Sequence, residues 1–593
     1  MLLLRRLNAL SWFLIPLVPL VSSLRISGAL GGLIAGSRVR PFRQEINEFS
    51  RSGPSWDLFV LALQRFQNTS ITDELSYFQV AGIHGYPARP WDGVVGENVD
   101  QGFCMHNSVL FPVWHRPYLA LYEQILSGHA HTIASDYPSN QQSRYVAAAE
   151  TLRIPYWDWA INPRLPDVVT SPTLSIITPN GLQEISNPLL QYSFPVNMLQ
   201  NGYFPSSYNV SGAPFTIRNL DLATGESNQA AASANLIAHS AQSLSKVYEL
   251  FVSAPNYTFF SSYTGGLGSS LEGIHGNIHN DVGGGGFWPG HMTIILVSSY
   301  DPVFWLHHAN VDRLLAIWQA IYPNDYVEPT INPYGTYYQP DNQIDTIDTP
   351  LAPFHSDDES TMWTAASARD TAVFGYTYPE LVDWNISTSD LSSQVRQRVN
   401  ELYSPPARPN ANNMRPVDVQ HSINVAQALS NIDADKALAL GAGNLQRQWY
   451  LRVTVNGTAL EDGAAVYFFV DEPDTASSTW SRAPNLIGTS KPYLPTRAQN
   501  GGNMNAQQAD VSFSHTIATA VMKGILADIS PNSVLPFLAQ YLTWRCTDRD
   551  DTEMDDRSKR AIKIEVLSRA IEPRKSMVDF PLYGPYEKHK GAF

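Results

Sequence analysis

Histidine is the residue type whose spacing in this chain points most directly to chemistry. The 593 residues contain fifteen histidines, most of which need no special explanation. Two groups stand apart, because their members lie close together. They are His84, His106 and His115 in the first group, and His275, His279, His307 and His308 in the second. Neutral imidazole is the commonest metal ligand in proteins, so each group is a candidate metal site.

The second group begins with a pair on one helical face. In the segment LEGIHGNIHNDV, His275 and His279 are four residues apart, and Glu272 lies three residues before His275. Residues at these spacings share a face of an α-helix, and two imidazoles on one face can bind one metal ion. The alternative is a solvent-facing helix on which the pair is a coincidence.

A third ligand for this site occurs in the segment SSYDPVFWLHHANVDRLLAIW. Phe304, His308 and Asp312 follow one another at four-residue steps and share a helix face. We therefore predict that His308 is a ligand and that Asp312 lies near it and orients the ring. His307 points about 100° away on the same helix and is the poorer candidate. The alternative is a packed histidine pair inside a buried helix.

The first group requires a loop as well as a helix. His106 and His115 lie nine residues apart, and this separation turns a helix by about 900°, which places them on opposite faces. Proline is tolerated in the first turn of a helix, so Pro112 places the helix start near Leu110. His115 is then helical, whereas His106 and His84 come from loops. Together these three imidazoles could form a second site.

Two sites with three histidines each offer neutral nitrogen donors and an open coordination position. Imidazole suits copper, zinc, iron and nickel alike, so the residue type does not select the metal. Two such sites side by side indicate a shared small substrate such as dioxygen.

Helices must position most of these residues, and β-structure follows them in the chain. The periodicity predicts helices over residues 55–67, 110–127 and 301–321, with long loops between about 160 and 230. In WYLRVTVNGT, the alternating residues Trp449, Leu451, Val453 and Val455 share one face of a strand. AAVYFFVDEP reads as a further strand.

Composition and charge exclude some classes of protein. The chain is 44% hydrophobic and 16% charged, which indicates a globular protein. Its net charge of -15 argues against a nucleic-acid partner, because phosphate contacts need clustered lysine and arginine.

At the N-terminus, Arg5 and Arg6 precede an uncharged run, as in a secretory signal. We expect a secreted or cell-wall-associated protein without a stable membrane partner, unless this segment is an uncleaved anchor.

Several motifs resemble those of the tyrosinase and catechol oxidase (polyphenol oxidase) family of type 3 dicopper proteins. The run H-x4-F-P-x-W-H-R-P-Y-L-x-L-Y-E, from His106 to Glu123, resembles its copper A signature. The run D-P-V-F-W-L-H-H-A-N-V-D-R, from Asp301 to Arg313, resembles its copper B signature. The motifs occur in the right order over roughly residues 50 to 380, and the C-terminal β domain with LTWR is similar to latent fungal tyrosinases.

The resemblance implies a cofactor, a fold and an activity. It assigns copper A to His84, His106 and His115, and copper B to His275, His279 and His308. The implied fold is mainly α, with an antiparallel four-helix bundle and long loops around two copper ions, followed by a β-sandwich-like C-terminal domain. The implied activity uses O2 as co-substrate to convert o-diphenols, and monophenols to a lesser degree, to o-quinones. The partner is thus a small phenolic substrate.

The domain boundaries expected from this resemblance run along the whole chain. Residues 1–24 form a signal peptide or signal anchor, 40–400 the catalytic domain and 401–443 a linker. Residues 444–546 form the C-terminal β domain that shields the active site and keeps the enzyme latent, and 547–593 form a charged tail.

The resemblance also suggests roles around the copper ligands. Many relatives join the cysteine two before the second copper A histidine to that ring, so Cys104 and His106 would form a thioether that fixes a loop ligand. The alternative is a buried free thiol. Glu272 resembles a glutamate that, with an asparagine after the first copper B histidine, holds a water that deprotonates monophenols. Gly276 replaces that asparagine and favours catechol oxidation, although Asn280 could compensate.

Aromatic residues are candidates for the walls of the site. A bulky side chain of the C-terminal domain plugs the site in latent relatives, and Tyr467, Phe468 or Phe469 could supply it, although each can equally pack inside its own domain. Phe287, beside a run of glycines, is either part of the pocket rim or an ordinary core residue.

Two other functions stay open from the sequence. A hemocyanin-like oxygen carrier would use the same six ligands, although carriers are built as large repeated assemblies and this chain has one copper module. A recruited relative would act on a secondary-metabolite intermediate. The sequence indicates neither the natural phenol nor the oligomeric state.

Overall fold

The structure is a computed structural model that describes most of the chain. It covers residues 23–263, 270–284, 289–404, 447–456, 465–490, 507–548 and 552–589. Outside the described residues lie Phe287, residues 1–22 of the predicted signal segment 1–24, and residues 405–443 of the predicted linker 401–443.

The first part of the chain is built from helices that pack around one large apolar core. Their bounds are α1 Ile46–Phe49, α2 Pro54–Gln67, α3 Tyr77–Gly82, α4 Phe111–Ser135, α5 Ser139–Thr151, α6 Asp167–Thr170, α7 Gln229–Ala238, α8 Ser240–Ser253, α9 Tyr257–Ser261, α10 Leu271–Gly283, α11 Val303–Ile321 and α12 Thr388–Tyr403. The three predicted helices are confirmed as α2, α4 and α11. Pro112 lies in the first turn of α4, as predicted, but α4 continues to Ser135.

The strands of the helical part are short and pair locally. They are β1 Thr173–Thr178, β2 Gly181–Ser186, β3 Thr330–Asn332, β4 Gln343–Asp345, β5 Pro350–His355 and β6 Met362–Thr364. Each pairs antiparallel with its neighbour in sequence, as β1 with β2, β3 with β4 and β5 with β6. The β1–β2 hairpin and the one-turn helix α6 lie inside the segment that the sequence predicts as long loops.

The C-terminal part is rich in β-structure. Its strands are β7 Arg447–Val455, β8 Ala465–Val470, β9 Leu486–Ser490, β10 Gln507–Ser512, β11 Leu542–Thr547, β12 Ile562–Glu572, β13 Leu582–Tyr583 and β14 Glu587–His589, and its helices are α13 Ser514–Met522, α14 Pro531–Tyr541 and α15 Asp556–Lys559. One sheet has the order β10-β7-β12-β13 with β14 on β12, and a second has the order β11-β8-β9.

The predicted apolar face of β7 is confirmed. Trp449, Leu451, Val453 and Val455 all lie in the core of the C-terminal domain. Their alternation is the signature of a strand with one buried face, and β-branched and aromatic side chains fit that environment.

The prediction of a charged tail after residue 546 is wrong for much of that segment. Strand β12 lies next to β7 in the five-stranded sheet, and its Ile562 and Val566 belong to the domain core. The dense charges around this strand conceal its alternation, because lysine and glutamate occupy its outward positions. Helix α12 likewise extends to Tyr403, so the segment predicted as linker begins inside a helix.

Helices α4, α10 and α11 lie close enough to share one site. Helix α4 packs against both α2 and α11, and α10 contacts α4 and α11. Within the described part of the chain, no helix is both long and apolar enough to cross a membrane. The architecture is thus a helical core followed by a β-rich C-terminal domain.

Candidate metal centre

Glycines allow the loops of the first histidine group to approach one another. His84 lies two residues after the end of the short helix α3. The N-cap of this helix is Ser76, whose hydroxyl accepts a hydrogen bond from the Gln79 amide at 3.3 Å. A Cβ atom on Gly102 would lie 2.0 Å from the His84 carbonyl oxygen. Only glycine permits such an approach, so the chain segment that leads to His106 can pass directly against His84.

The six predicted ligands are all buried. His84, His106 and His115 are between 0 and 7% exposed, and His275, His279 and His308 are fully buried. Burial lowers the pKa of each ring, to about 3 for His115 and His279 and well below the usual value for the other four. Neutral imidazole is the form that binds a metal ion.

Backbone carbonyls orient four of these rings in the same way. A carbonyl oxygen only accepts hydrogen bonds, so the bonded Nδ1 atom carries the proton and Nε2 is the unprotonated nitrogen, which is the one that can bind a metal ion. The Nδ1 bonds run from His84 to Ile295 O at 3.0 Å, from His115 to Phe111 O at 2.7 Å, from His275 to Glu272 O at 3.0 Å and from His279 to Met292 O at 2.7 Å. Such outer contacts fix the tautomer of a metal-ligating histidine.

The two histidine groups converge on two adjacent spaces. Ligand atoms of His275, His279, His307 and His308 all lie within 4.8 Å of one another, as do those of His84, Cys104 and His106. His115 joins the first group, since its ring centroid lies 5.7 Å from that of His84. The rings of His115 and His308 stack at 4.3 Å between centroids, so the two groups adjoin directly.

His307 lies closer to the second site than the sequence predicts. Its ring stacks on His275 with centroids 5.2 Å apart, and its centroid lies 4.8 Å from that of His279. The 100° turn from His308 directs His307 toward helix α10, because α10 packs along that side of α11. The two residues differ in their remaining contacts. His308 stacks on His115 of the first group, whereas the His307 ring faces Trp159, with 6.0 Å between the ring centroids.

Cys104 lies among the rings of the first group. Its Sγ atom is 3.8 Å from Nε2 of His106 and 3.4 Å from Nε2 of His115. Burial, and secondarily the nearby Glu272 carboxyl group, raise the pKa of the thiol well above its usual value. Because metals bind the thiolate, the protonated thiol is a poorer ligand than the imidazoles around it.

Glu272 connects helix α10 with the loop that carries His106. Its carboxylate accepts hydrogen bonds from the backbone amides of Asn107 at 2.7 Å and Tyr263 at 3.3 Å. Burial raises the pKa of this carboxyl group to about 8, and the two hydrogen bonds oppose the shift. Asn107 has a φ of 54°, a left-handed conformation that asparagine tolerates better than most residues.

Asn280 is poorly placed to replace the missing side chain at Gly276. Eight residues along a helix correspond to about 12 Å, so Asn280 lies two turns away from Glu272. Asn280 is half-buried and lines a small cavity with His239 and Thr489, where α10 meets the C-terminal domain. The suggested compensation by Asn280 therefore has no geometric support.

The prediction that Asp312 orients an imidazole is wrong. Its carboxylate accepts hydrogen bonds from Arg116 at 2.7 Å, Arg43 at 3.2 Å and Tyr378 at 2.6 Å, and also from Tyr376. The Nδ1 atom of His308 has no hydrogen-bond partner in the described part of the chain. Burial alone would raise the pKa of Asp312, but the two guanidinium groups hold it below its usual value.

The three aromatic plug candidates pack within the C-terminal domain. Phe468 belongs to its main core, and Tyr467 and Phe469 form a second cluster with Trp480. The plug stays a prediction. Of the two pocket candidates, Gly276 lies buried in α10, whereas Phe287 falls outside the described residues.

Comparison with known proteins supplies the family. The model for the common central domain of tyrosinase matches residues 74–321, and the model for the tyrosinase C-terminal domain matches residues 448–566. A tyrosinase from Podospora anserina is 39% identical over 387 residues, which cover 61% of this chain and 66% of that protein. The matched segments span only 56 to 66% of the length of the curated tyrosinases from Neurospora crassa and Podospora anserina.

A solved structure extends the likeness to nearly the whole fold. The structure of latent and active mushroom tyrosinase has a TM-score of 0.78 at 26% identity, covering 96% of this chain and 99% of that chain. Hemocyanin 2 from Megathura crenulata is 25% identical over a segment that forms 8% of its own length, a weaker likeness. The histidine groups fit copper A and copper B of a type 3 dicopper site. The chain belongs to the tyrosinase family and joins a central tyrosinase domain to a tyrosinase C-terminal domain.

Proposed function

We propose that this protein is a dicopper oxidase that uses O2 to convert o-diphenols, and monophenols more slowly, to o-quinones. The observation that carries the proposal is the arrangement of two adjoining groups of buried imidazoles, four of whose rings carry the proton on Nδ1 and present Nε2 as donor. A chain of the tyrosinase family with this arrangement has the ligands for a copper pair. The names of its relatives, tyrosinase and polyphenol oxidase, indicate phenolic substrates.

The residues present fit a pair of copper ions. Neutral imidazole suits copper, and the high pKa of the Cys104 thiol leaves nitrogen donors alone around each metal. A bound copper pair would supply the binding of O2 and the transfer of two electrons. The chain itself holds the ligands on three helices and two loops, and its aromatic side chains exclude water from the rings.

Glu272 is proposed to handle the proton of a monophenol. Its carboxyl group is buried within one helical turn of His275, and its pKa of about 8 permits it both to take and to return a proton near neutral pH. A general base must reach the proton within about 3 Å, directly or through one water. We place the catalytic role on Glu272 and no other carboxylate.

The C-terminal domain is proposed to keep the enzyme latent. It packs against helix α8, which contacts α10: Gln242 Nε2 of α8 donates a hydrogen bond to Thr489 O at 3.5 Å, and Arg569 lies 3.8 Å from Glu249 of α8. We also propose that α2, α4, α10 and α11 form an antiparallel four-helix bundle, that the two C-terminal sheets form a sandwich, and that the protein is secreted.

Oxygen uptake is the experiment that tests this function. The full-length, copper-loaded chain is measured with tyrosine and with a simple catechol, before and after limited proteolysis. We expect low uptake before cleavage and strong uptake with catechol afterwards. A preparation that holds two copper ions and is inert with every phenol, cut or uncut, would refute the oxidase.

Gly276→Asn is expected to shift the balance between the two reactions. The new amide would lie one turn after Glu272 and could hold a water beside its carboxylate. We expect the ratio of tyrosine hydroxylation to catechol oxidation to rise severalfold, which is less than the roughly 10²- to 10⁴-fold that general acid–base catalysis typically contributes. Initial rates with both substrates give the ratio, and Gly276→Ala is the matched control. An unchanged ratio in the asparagine variant would contradict this role.

A thioether between Cys104 and His106 is the second chemical feature that we propose. Its formation would join Sγ to a ring carbon and remove one hydrogen from each. O2 would be the two-electron oxidant and would take up both hydrogens as H2O2, and a bound copper pair would supply the electron transfer. The sulfur lies 3.8 Å from Nε2 of His106, although it lies nearer, at 3.4 Å, to Nε2 of His115. Mass spectrometry of the copper-loaded protein should show a cross-linked peptide lighter by two hydrogens. Cys104→Ala should lack it, and a free thiol in the copper-loaded parent would disprove the bond.

A further inference from the structure

The chain returns to the helical domain after the last long strand of the C-terminal domain. Residues 573–583, which we call the strap, leave β12 and cross helices α8 and α12. Strand β13 at the end of the strap contacts α8. The strap lies beyond residues 448–566, which match the C-terminal family model, so that model does not account for it.

Asn400 near the end of α12 binds the backbone of the strap. Its side-chain amide donates hydrogen bonds to the carbonyls of Met577 at 2.7 Å and Asp579 at 2.8 Å. Its Oδ1 atom accepts from the Tyr248 hydroxyl of α8 at 2.7 Å. Asn400 is 3% exposed with the strap in place, and both of its amide hydrogen bonds to the strap would be lost if the strap left. Exchange of such bonds for bonds to water has a modest net cost for each bond, so the strap needs further contacts.

Two side chains of the strap contact the region around Asn400, where α12 lies beside α8. Arg574 donates to Ser404 Oγ at 2.6 Å and to Asn400 Oδ1 at 3.3 Å. The Phe580 ring lies 6.5 Å from the Tyr248 ring and beneath the Arg396 guanidinium at 5.5 Å. Polar and aromatic contacts therefore combine at the point where α12 ends.

Arg569 anchors the strand from which the strap departs. Its guanidinium lies 4.1 Å from the centre of the Tyr583 ring and 5.1 Å from that of Tyr450. It also forms an ion pair with the buried Glu249 of α8 at 3.8 Å. The strap is thus held at both ends, on α8 by Arg569 and Tyr583 and on α12 by Arg574.

We propose that the strap keeps the C-terminal domain bound to the helical domain after the linker between residues 404 and 447 is cut. Among the described residues, the strap contacts residues on either side of that linker. Cutting the linker removes the covalent connection, but several weak contacts made together still hold two pieces with high effective concentration. Release, and with it full activity, then requires a second step that removes or cleaves the strap.

The test distinguishes whether the two domains are held together by the covalent linker or by the contacts of the strap. A recognition sequence for a site-specific protease replaces seven residues inside the linker of the full-length protein. After complete cleavage, size-exclusion chromatography over a dilution series measures the dissociation constant between the two pieces. The variants are Arg574→Ala with Phe580→Ala, and the matched control is Lys575→Ala, an exposed strap residue.

We expect the cut parent and the Lys575→Ala control to elute as one particle. The double variant should raise the dissociation constant at least about tenfold, because it loses a charge-assisted hydrogen bond and a packed ring. Separation of the cut parent, or a double variant that stays bound as tightly as the parent, would overturn the proposal. If the uncut double variant fails to fold, Arg574→Ala alone provides the comparison.

Catechol oxidation after each step is a second readout, and it rests on the proposed function. The cut parent should remain latent, and the cut double variant should become active. A complete lack of oxidase activity would contradict the proposed function but would not change the chromatographic result. Failure of the proposed function can therefore be distinguished from failure of the strap proposal.

Discussion

Replacing His308 with alanine is expected to empty the copper B site. His308 Nε2 lies 3.2 Å from His279 Nε2, and its ring stacks on His115 of the other group. Losing an outer partner of a metal ligand already costs about 10- to 100-fold in affinity or activity, so loss of the ligand itself should cost more. We expect copper content to fall from two ions to one per chain, with catechol oxidation lost.

His307→Ala is the matched control on the same helix. Both residues are fully buried and of equal size, so the two variants create similar cavities. His307 approaches the copper B ligands but not the first group, and we expect this variant to retain two copper ions. Atomic absorption of the purified variants measures the difference. Loss of copper from His307→Ala with retention in His308→Ala would reverse the assignment.

Asp312→Asn is expected to be the most destabilising conservative change near the site. Asp312 pairs with two fully buried guanidinium groups, those of Arg43 and Arg116. Removing one partner of a buried ion pair typically costs about 3 to 5 kcal/mol. Here the Arg116 charge would stay buried without a carboxylate partner, whereas Arg43 would keep its ion pair with Glu123. Chemical denaturation of parent and variant gives the free energy of unfolding.

Copper content distinguishes this structural role from a direct role at the metal. Asp312 bonds to arginines and tyrosines rather than to an imidazole, so the folded variant should still bind two copper ions. Glu401→Gln, in the exposed pair with Arg398, is the control and should leave stability unchanged. An Asp312→Asn protein of normal stability that lacks copper B would show that the carboxylate acts on the metal site.

The sequence predicts the histidine groups well because the spacing of these residues determines which of them share a helix face and which lie in loops. The four-residue step from His275 to His279 places both on one face of α10, and Pro112 marks where a loop ligand gives way to a helical one. The strand β7 was equally predictable, since its alternate apolar residues need one buried face. In each case the information is local, within one element.

The features that the sequence does not predict depend on distant elements. The partners of Asp312 come from residues 43, 116, 376 and 378, so spacing within α11 could not reveal them. The approach of His307 to the copper B ligands depends on where α10 packs against α11. Strand β12 is concealed for a similar reason, because its buried face is defined only by its pairing with β7.

The central claim is that two metal ions, both copper, lie between these histidines. Anomalous scattering from a crystal of the copper-loaded protein, measured on both sides of the copper absorption edge, tests it most directly. We predict two peaks, one bounded by His84, His106 and His115 and the other by His275, His279 and His308. A single peak, or peaks that appear only at the zinc edge, would contradict the dicopper site.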